Sequence, residues 1–267
     1  MKIRAIALNT LSGFLHDKLI ILFSALFACV VLLMMTPMLG MKAMATASNA
    51  GQMQAMVLNL VSFIMSMVSG FGSLLAAWAA ANAVASEMKS GTILAVMARP
   101  VRRWEFLAGK YLGVMLLMAV YVLLMFGLSY LLAWMGGERI QSTPWVLIIY
   151  PLVRYAIYSG IAMLLVTVLH PIVTFGVVTV ISVLAAVVAP AAQSSSMITR
   201  WVRTPLYLIL PSTTLLSEDR FLSVTQASLK QTGWLEHLTT LVYGLDYALV
   251  CLLLAAWSFH YRNLKRD

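Results

Sequence analysis

Three sets of residues in this chain could do chemistry by their type and spacing. The first is the polar run from Glu87 to Lys110, in which Glu87, Gly91, Thr92, Pro100, Arg102, Arg103, Gly109 and Lys110 interrupt an apolar sequence. Gly91 and Pro100 punctuate a short stretch holding Ile93, Leu94, Val96 and Met97. The run therefore reads as a short helix with apolar residues for docking and flanking charges for orientation. The second set is Arg154 and Asp246, isolated charges set about eight to ten residues inside long apolar runs. A charge at that depth is costly, so the two are expected to join as an intramembrane ion pair or to occupy separate wet environments. The third is Met38, Met41 and Met44, at three-residue spacing. Thioethers are soft ligands suited to Cu(I), although methionine is more commonly a flexible packing residue, and packing is the preferred reading.

Other chemistries are excluded by missing motifs. No GxxxxGK[ST] phosphate loop occurs, and Gly109-Lys110 has neither the preceding glycine turn nor a following Ser or Thr. No HExxH sequence, nucleophile elbow or convincing carboxylate pair is present. Ser73, Ser159 and His170 could suggest an intramembrane protease, but small residues at such places more often let helices approach closely. No cofactor, resident metal or nucleic-acid partner is expected on this chain. Its formal charge of +9 is scattered between apolar runs rather than gathered on a polar face. Cys29 and Cys251 each lie inside an apolar run and make no disulfide framework.

The elements that position these residues follow from composition. With 62% hydrophobic and only 10% charged residues, the chain is too apolar for water to be its main solvent. Each bilayer crossing needs about 20 apolar residues, so the 267 residues are expected to form an all-α polytopic membrane protein with six spans. The single domain 1–267 divides as follows. Residues 1–18 place Ile3, Ile6, Ala7, Leu11, Phe14 and Leu15 on one face, which predicts an interfacial elbow helix. Spans are expected at 19–39, 56–84, 111–135, 145–169, 171–190 and 238–259, with a cytoplasmic segment at 86–110 and an outer amphipathic loop at 193–237. His170-Pro171 makes a tight turn, and Pro171 can open the fifth span because the first helical position needs no N–H donor. Leu26 to Cys29 faintly resembles a lipoprotein cleavage site, but the apolar run continues beyond it, so a retained first span is expected.

Orientation follows from basic residues. Lys2, Arg4, Lys18, Lys89, Arg99, Arg102, Arg103, Lys110 and the terminal Arg262, Lys265 and Arg266 fall on one side, while the short loops opposite hold only Lys42 and Arg139. Both termini and the 86–110 segment are therefore expected to be cytoplasmic.

The polar run resembles the cytoplasmic signature of type-2 ABC transporter permeases. In that family an acidic residue after the second span is followed by Gly-Thr, a short helix, a Pro-x-x-Arg turn and a Gly-Lys opening the third span. Here these correspond to Glu87, Gly91-Thr92, Pro100 to Arg103 and Gly109-Lys110. The layout of elbow, six spans and a long outer excursion before the last span is similar too, and the NosY-like multi-copper enzyme maturation subgroup looks closest. The resemblance implies a non-enzymatic permease subunit of an exporter in a bacterial inner membrane. It also implies two copies of a partner ATPase carrying ATP and Mg, docked on 87–110, and a second permease copy, identical or not. The competing expectation is an ATP-independent secondary transporter or a structural component of an envelope complex. In that case Arg154 and Asp246 would be its working charges.

Overall fold

A computed structural model describes residues 2–43, 50–90, 102–135, 144–188, 210–212, 216 and 234–261. Within them the chain is helical, with no strand. In chain order the helices are α1 (Lys2–Leu15), α2 (Lys18–Ala43), α3 (Ala50–Ser90), α4 (Arg103–Met135), α5 (Pro144–Val166), α6 (Pro171–Val188) and α7 (Trp234–Tyr261). Four of them contain segments long and apolar enough to cross a bilayer: Phe63–Glu87, Trp104–Leu128, Ile148–Val166 and His237–Phe259. The bent pair Ile3–Leu15 and Ile20–Leu33, which turns through 67°, raises the number to five if it counts as one span. The protein is thus an all-helical, multi-pass membrane protein. Of the six spans expected from sequence, the one at 171–190 corresponds to the shorter apolar helix Pro171–Ala185.

Two helices extend beyond the spans expected from sequence. The helix assigned to the second span is longer than 56–84: α3 has 41 residues and continues to Ser90. The helix of the third span begins at Arg103 rather than 111, because its start is capped locally. The Arg102 N–H donates to Glu105 Oε2 at 3.0 Å, and the Phe106 N–H donates to the Arg102 carbonyl at 3.2 Å. A carboxylate at the third helical position reaching back to the cap residue satisfies one of the orphan donors of a helix start.

The turn at His170-Pro171 forms as its residues dictate. The Leu169 N–H closes on the Leu165 carbonyl at 2.7 Å, and Thr174 N–H on the His170 carbonyl at 2.9 Å. Pro171 then occupies a position with no intrahelical N–H to lose.

The centre of the bundle is α5, the most enclosed of the four long spans, packed against α3 on one side and α7 on another. Small residues make this packing close. Ala76, Ala77, Ala80, Ala81 and Val84 on α3 are fully buried. In a bilayer lipid tails are as apolar as the core, so such close van der Waals contact and interhelical hydrogen bonds, rather than expulsion from water, hold the helices together. A β-carbon on Gly72 would overlap the Tyr155 ring, and one on Gly160 would lie 3.2 Å from Cys251 Cβ. Beside Gly72, the Val68 carbonyl receives the Tyr121 hydroxyl at 3.1 Å, with Tyr155 Oη at 3.5 Å, so α3, α4 and α5 meet at one backbone group. The peripheral α7 is fastened to the α5 side at two depths. Tyr150 Oη meets His237 Nδ1 at 2.7 Å, and Thr167 Oγ1 meets Ser258 Oγ at 2.9 Å.

Candidate functional site

The residues of the polar run that the structure describes converge where α3 ends and α4 begins. Glu87 lies in the last turn of α3 and Lys110 in the second turn of α4, and they form an ion pair. Lys110 is buried and Glu87 is mostly so. The Lys110 ammonium also lies 5.7 Å from the centre of the Phe106 ring, which stacks on Phe259 of α7 at 6.3 Å. The cation thus joins α3 to α4 by charge and rests on the face of Phe106 of its own helix, and the Phe106 ring in turn joins α4 to α7. Sequence reasoning placed Glu87 and Lys110 in the same segment without pairing them. The matched positions at the facing ends of consecutive antiparallel helices are the signal that could have done so.

Gly109 does not open a helix here but sits within α4, where its role is close approach. A β-carbon there would come within 2.8 Å of Ile6 Cβ, and one on Gly113 within 2.6 Å of Thr10 Cβ. The four-residue spacing puts both glycines on one face of α4, and α1 lies across that face. Ala7, Thr10 and Phe14 are the buried residues of α1, flanked by half-buried Ile3, Ile6 and Leu11. Leu15, placed on the apolar face from sequence, is exposed instead. The helix ends there, so its last residue runs past the groove. Between α1, α3 and α4 is a half-open space of about 590 Å³ of mixed polar and apolar lining, to which Thr10, Asp17, Asn82, Glu87 and Lys110 contribute.

Arg154 and Asp246 are not brought together, which corrects the expected ion pair. Arg154 Nη1 donates to Ser69 Oγ of α3 at 3.3 Å, and its Nε is buried without a partner. Asp246 is exposed on the outer side of α7. The reason is helical phase: α7 packs through Gly244, Ala248, Cys251, Ala255 and Phe259, and Asp246 lies two residues from Gly244, on the opposite face. Near Arg154 stands the Tyr158 phenol, also with Ser182 of α6 beside it. The Tyr158 side chain is buried and its oxygen has no hydrogen-bond partner. The interior charge therefore belongs to a polar cluster of α3, α5 and α6 that sequence reasoning did not assemble.

Residues 4–264 match the family described as ABC-2 family transporter protein. The chain belongs to the ABC-2 transporter family. The match covers nearly the whole chain, so the resemblance carried by the polar run extends to the helical frame around it. No curated protein matches this ABC-2 chain. A family of transporter membrane proteins fits the bundle of membrane-length apolar helices described above. This ABC-2 protein is accordingly a membrane component of a transporter type.

The remaining assigned positions of the ABC-2 chain divide in two. Arg102 is exposed at the start of α4. Gly91, Thr92 and Pro100 lie outside the described residues, as do the side chain of Arg103, most of 193–237, and the side chains of Met38, Met41 and Met44.

Proposed function

We propose that this protein is the membrane-spanning permease subunit of an ATP-driven exporter, driven by a separate ATPase that docks on 87–110. The observation that carries this reading is the ion pair between Glu87 and Lys110. It ties the first residue of that segment to the last, on two long helices. A push delivered to the segment is thereby shared by α3 and α4, whose ends the pair joins. Packing of α1 on Gly109 and Gly113 steadies the same corner. ATP and Mg²⁺ belong to the partner subunits, two copies working with two permease copies, and the termini face the same side as the ATPases. The family match supports the permease assignment, and the basic residues flanking the spans support the orientation.

The test is co-purification from the native membrane, comparing the intact chain with one whose residues 91–101 are replaced by a Gly/Ser linker of equal length. An ATPase recovered with the first and lost with the second supports docking there. Recovery of a well-folded intact chain with no ATPase activity would overturn the proposal and favour an ATP-independent carrier.

A further inference from the structure

Arg154 sits six residues inside the span Ile148–Val166, and Ser69, to which it donates, sits six residues inside Phe63–Glu87. Both therefore lie about 9 Å within the apolar layer. A charge at that depth needs a counter-charge, and arginine cannot escape by shedding its proton. Yet among the described residues no carboxylate pairs with this guanidinium, and Asp246 faces away from it. The hydrogen-bond donors around the charge are unspent as well. Nη1 is committed to Ser69 Oγ at 3.3 Å, whereas Nε is buried without a partner. The Nε–H points parallel to an Nη2 N–H along one edge of the guanidinium, the edge that meets two oxygens at once. One turn along α5, Tyr158 is 1% exposed and its hydroxyl also lacks a partner. Ser182 of α6 stands beside that hydroxyl. Ser69 and Tyr158 are buried, but Arg154 and Ser182 are only half-buried, so the cluster is open on one flank. Its surroundings are apolar: Met65 and Val178, one turn from Ser69 and Ser182 on the same helix faces, are both buried.

We propose that Arg154, Tyr158 and Ser182 form an intramembrane binding site for the carboxylate of a singly charged, amphiphilic organic anion. Charge selects the class. One guanidinium is neutralised by one negative charge, whereas a doubly charged phosphate would leave a surplus charge in an apolar interior, and a water molecule would supply no counter-charge at all. Shape selects the carboxylate. Its two oxygens span the Nε–Nη2 edge and keep lone pairs for the Tyr158 and Ser182 hydroxyls. An ionised carboxylate accepts and never donates, and each of these groups has a proton to give. The hydrocarbon part of the ligand lies among the apolar residues that surround the cluster.

The test places the full chain in nanodiscs of phosphatidylcholine, which has no carboxylate and no net charge, and measures binding of radiolabelled hexanoate at mildly alkaline pH against empty nanodiscs. Saturable binding near one hexanoate per chain, weakened roughly tenfold or more by Tyr158→Phe and abolished by Arg154→Gln, supports the site. Absence of saturable binding overturns it, and so does binding that both variants retain. Hexyl phosphate, doubly charged under the same conditions, should compete at least about tenfold less well than unlabelled hexanoate. Equal or better competition overturns the carboxylate assignment. Tyr158→Phe keeps the ring and its packing, so the comparison stays decisive if Arg154→Gln does not fold. A purely structural role for Arg154 is separated by NMR of the chain labelled with nitrogen-15 in arginine. The Nε–H signal that Arg154→Lys removes should move downfield and saturate as hexanoate is added to the wild type, and a signal that stays in place overturns the site. None of these measurements requires an ATPase, so their failure would leave the proposed function standing.

Discussion

Glu87 and Lys110, on α3 and α4, form a largely buried ion pair at the end of the bundle where α1 crosses α4. Their charges are not interchangeable with single neutral residues, because removing one partner leaves the other buried and uncompensated. Lys110→Met is predicted to destabilise the protein by about 3–5 kcal/mol and Glu87→Gln somewhat less, given its partial exposure. The replacement of both by apolar residues should cost less than Lys110→Met alone. Thermal unfolding in detergent, followed by intrinsic fluorescence, checks the order of the three variants.

The crossing of α1 over Gly109 and Gly113 leaves no room for side chains. Gly113→Leu is predicted to cost about 1–3 kcal/mol through overpacking. Gly127→Ala, where nothing lies within 4 Å, should be neutral or slightly stabilising. Melting temperatures of the two variants measured side by side test the contrast. An equal loss in both would remove the close-approach role of Gly113.

Separation of Arg154 from Asp246 predicts additivity. In a double-mutant cycle with Arg154→Gln and Asp246→Asn, the stability changes should sum to within about 0.5 kcal/mol, as for residues without shared partners. Arg154→Gln should carry most of the loss, because its guanidinium donates to Ser69. A large coupling energy would restore the ion pair that the sequence suggests.

The polar fastenings of α7 predict graded losses. Tyr150→Phe and Ser258→Ala each remove one interhelical hydrogen bond, and in a membrane interior such bonds average about 0.6 kcal/mol. Their sum should appear as a modest, additive fall in unfolding temperature, with the buried Cys251 of α7 becoming reactive to a thiol reagent at a lower temperature than in the wild type, both measured with Cys29→Ser.

Helix positions were legible in the sequence because apolar runs and their breakers carry that information directly. Pro171 opens α6 as its missing N–H requires, and the apolar face of residues 3–14 reads out α1 without a partner in view. Partners were harder to read. Depth alone suggested that Arg154 and Asp246 meet, whereas rotation about the helix axis decides contact. The small-residue stripe of Gly244, Ala248 and Ala255 was the better guide, since it marks the packing face of α7 and leaves Asp246 on the other side. From sequence Gly109 marked only the opening of the third span, because its neighbour α1 is distant in sequence. Only the tertiary fold shows that the missing side chain makes room for Ile6.

The length of α3 has a mechanical consequence. Its 41 residues contain no proline, and such a helix extends about 60 Å, twice the hydrocarbon thickness of a bilayer. A rod of this kind is tied near its middle by Tyr121 and Tyr155 at Val68. Were it to tilt by about 10° around that point, its ends would move roughly 5 Å in opposite directions. A displacement imposed at Glu87 would then reach the far end of the helix reversed in sense.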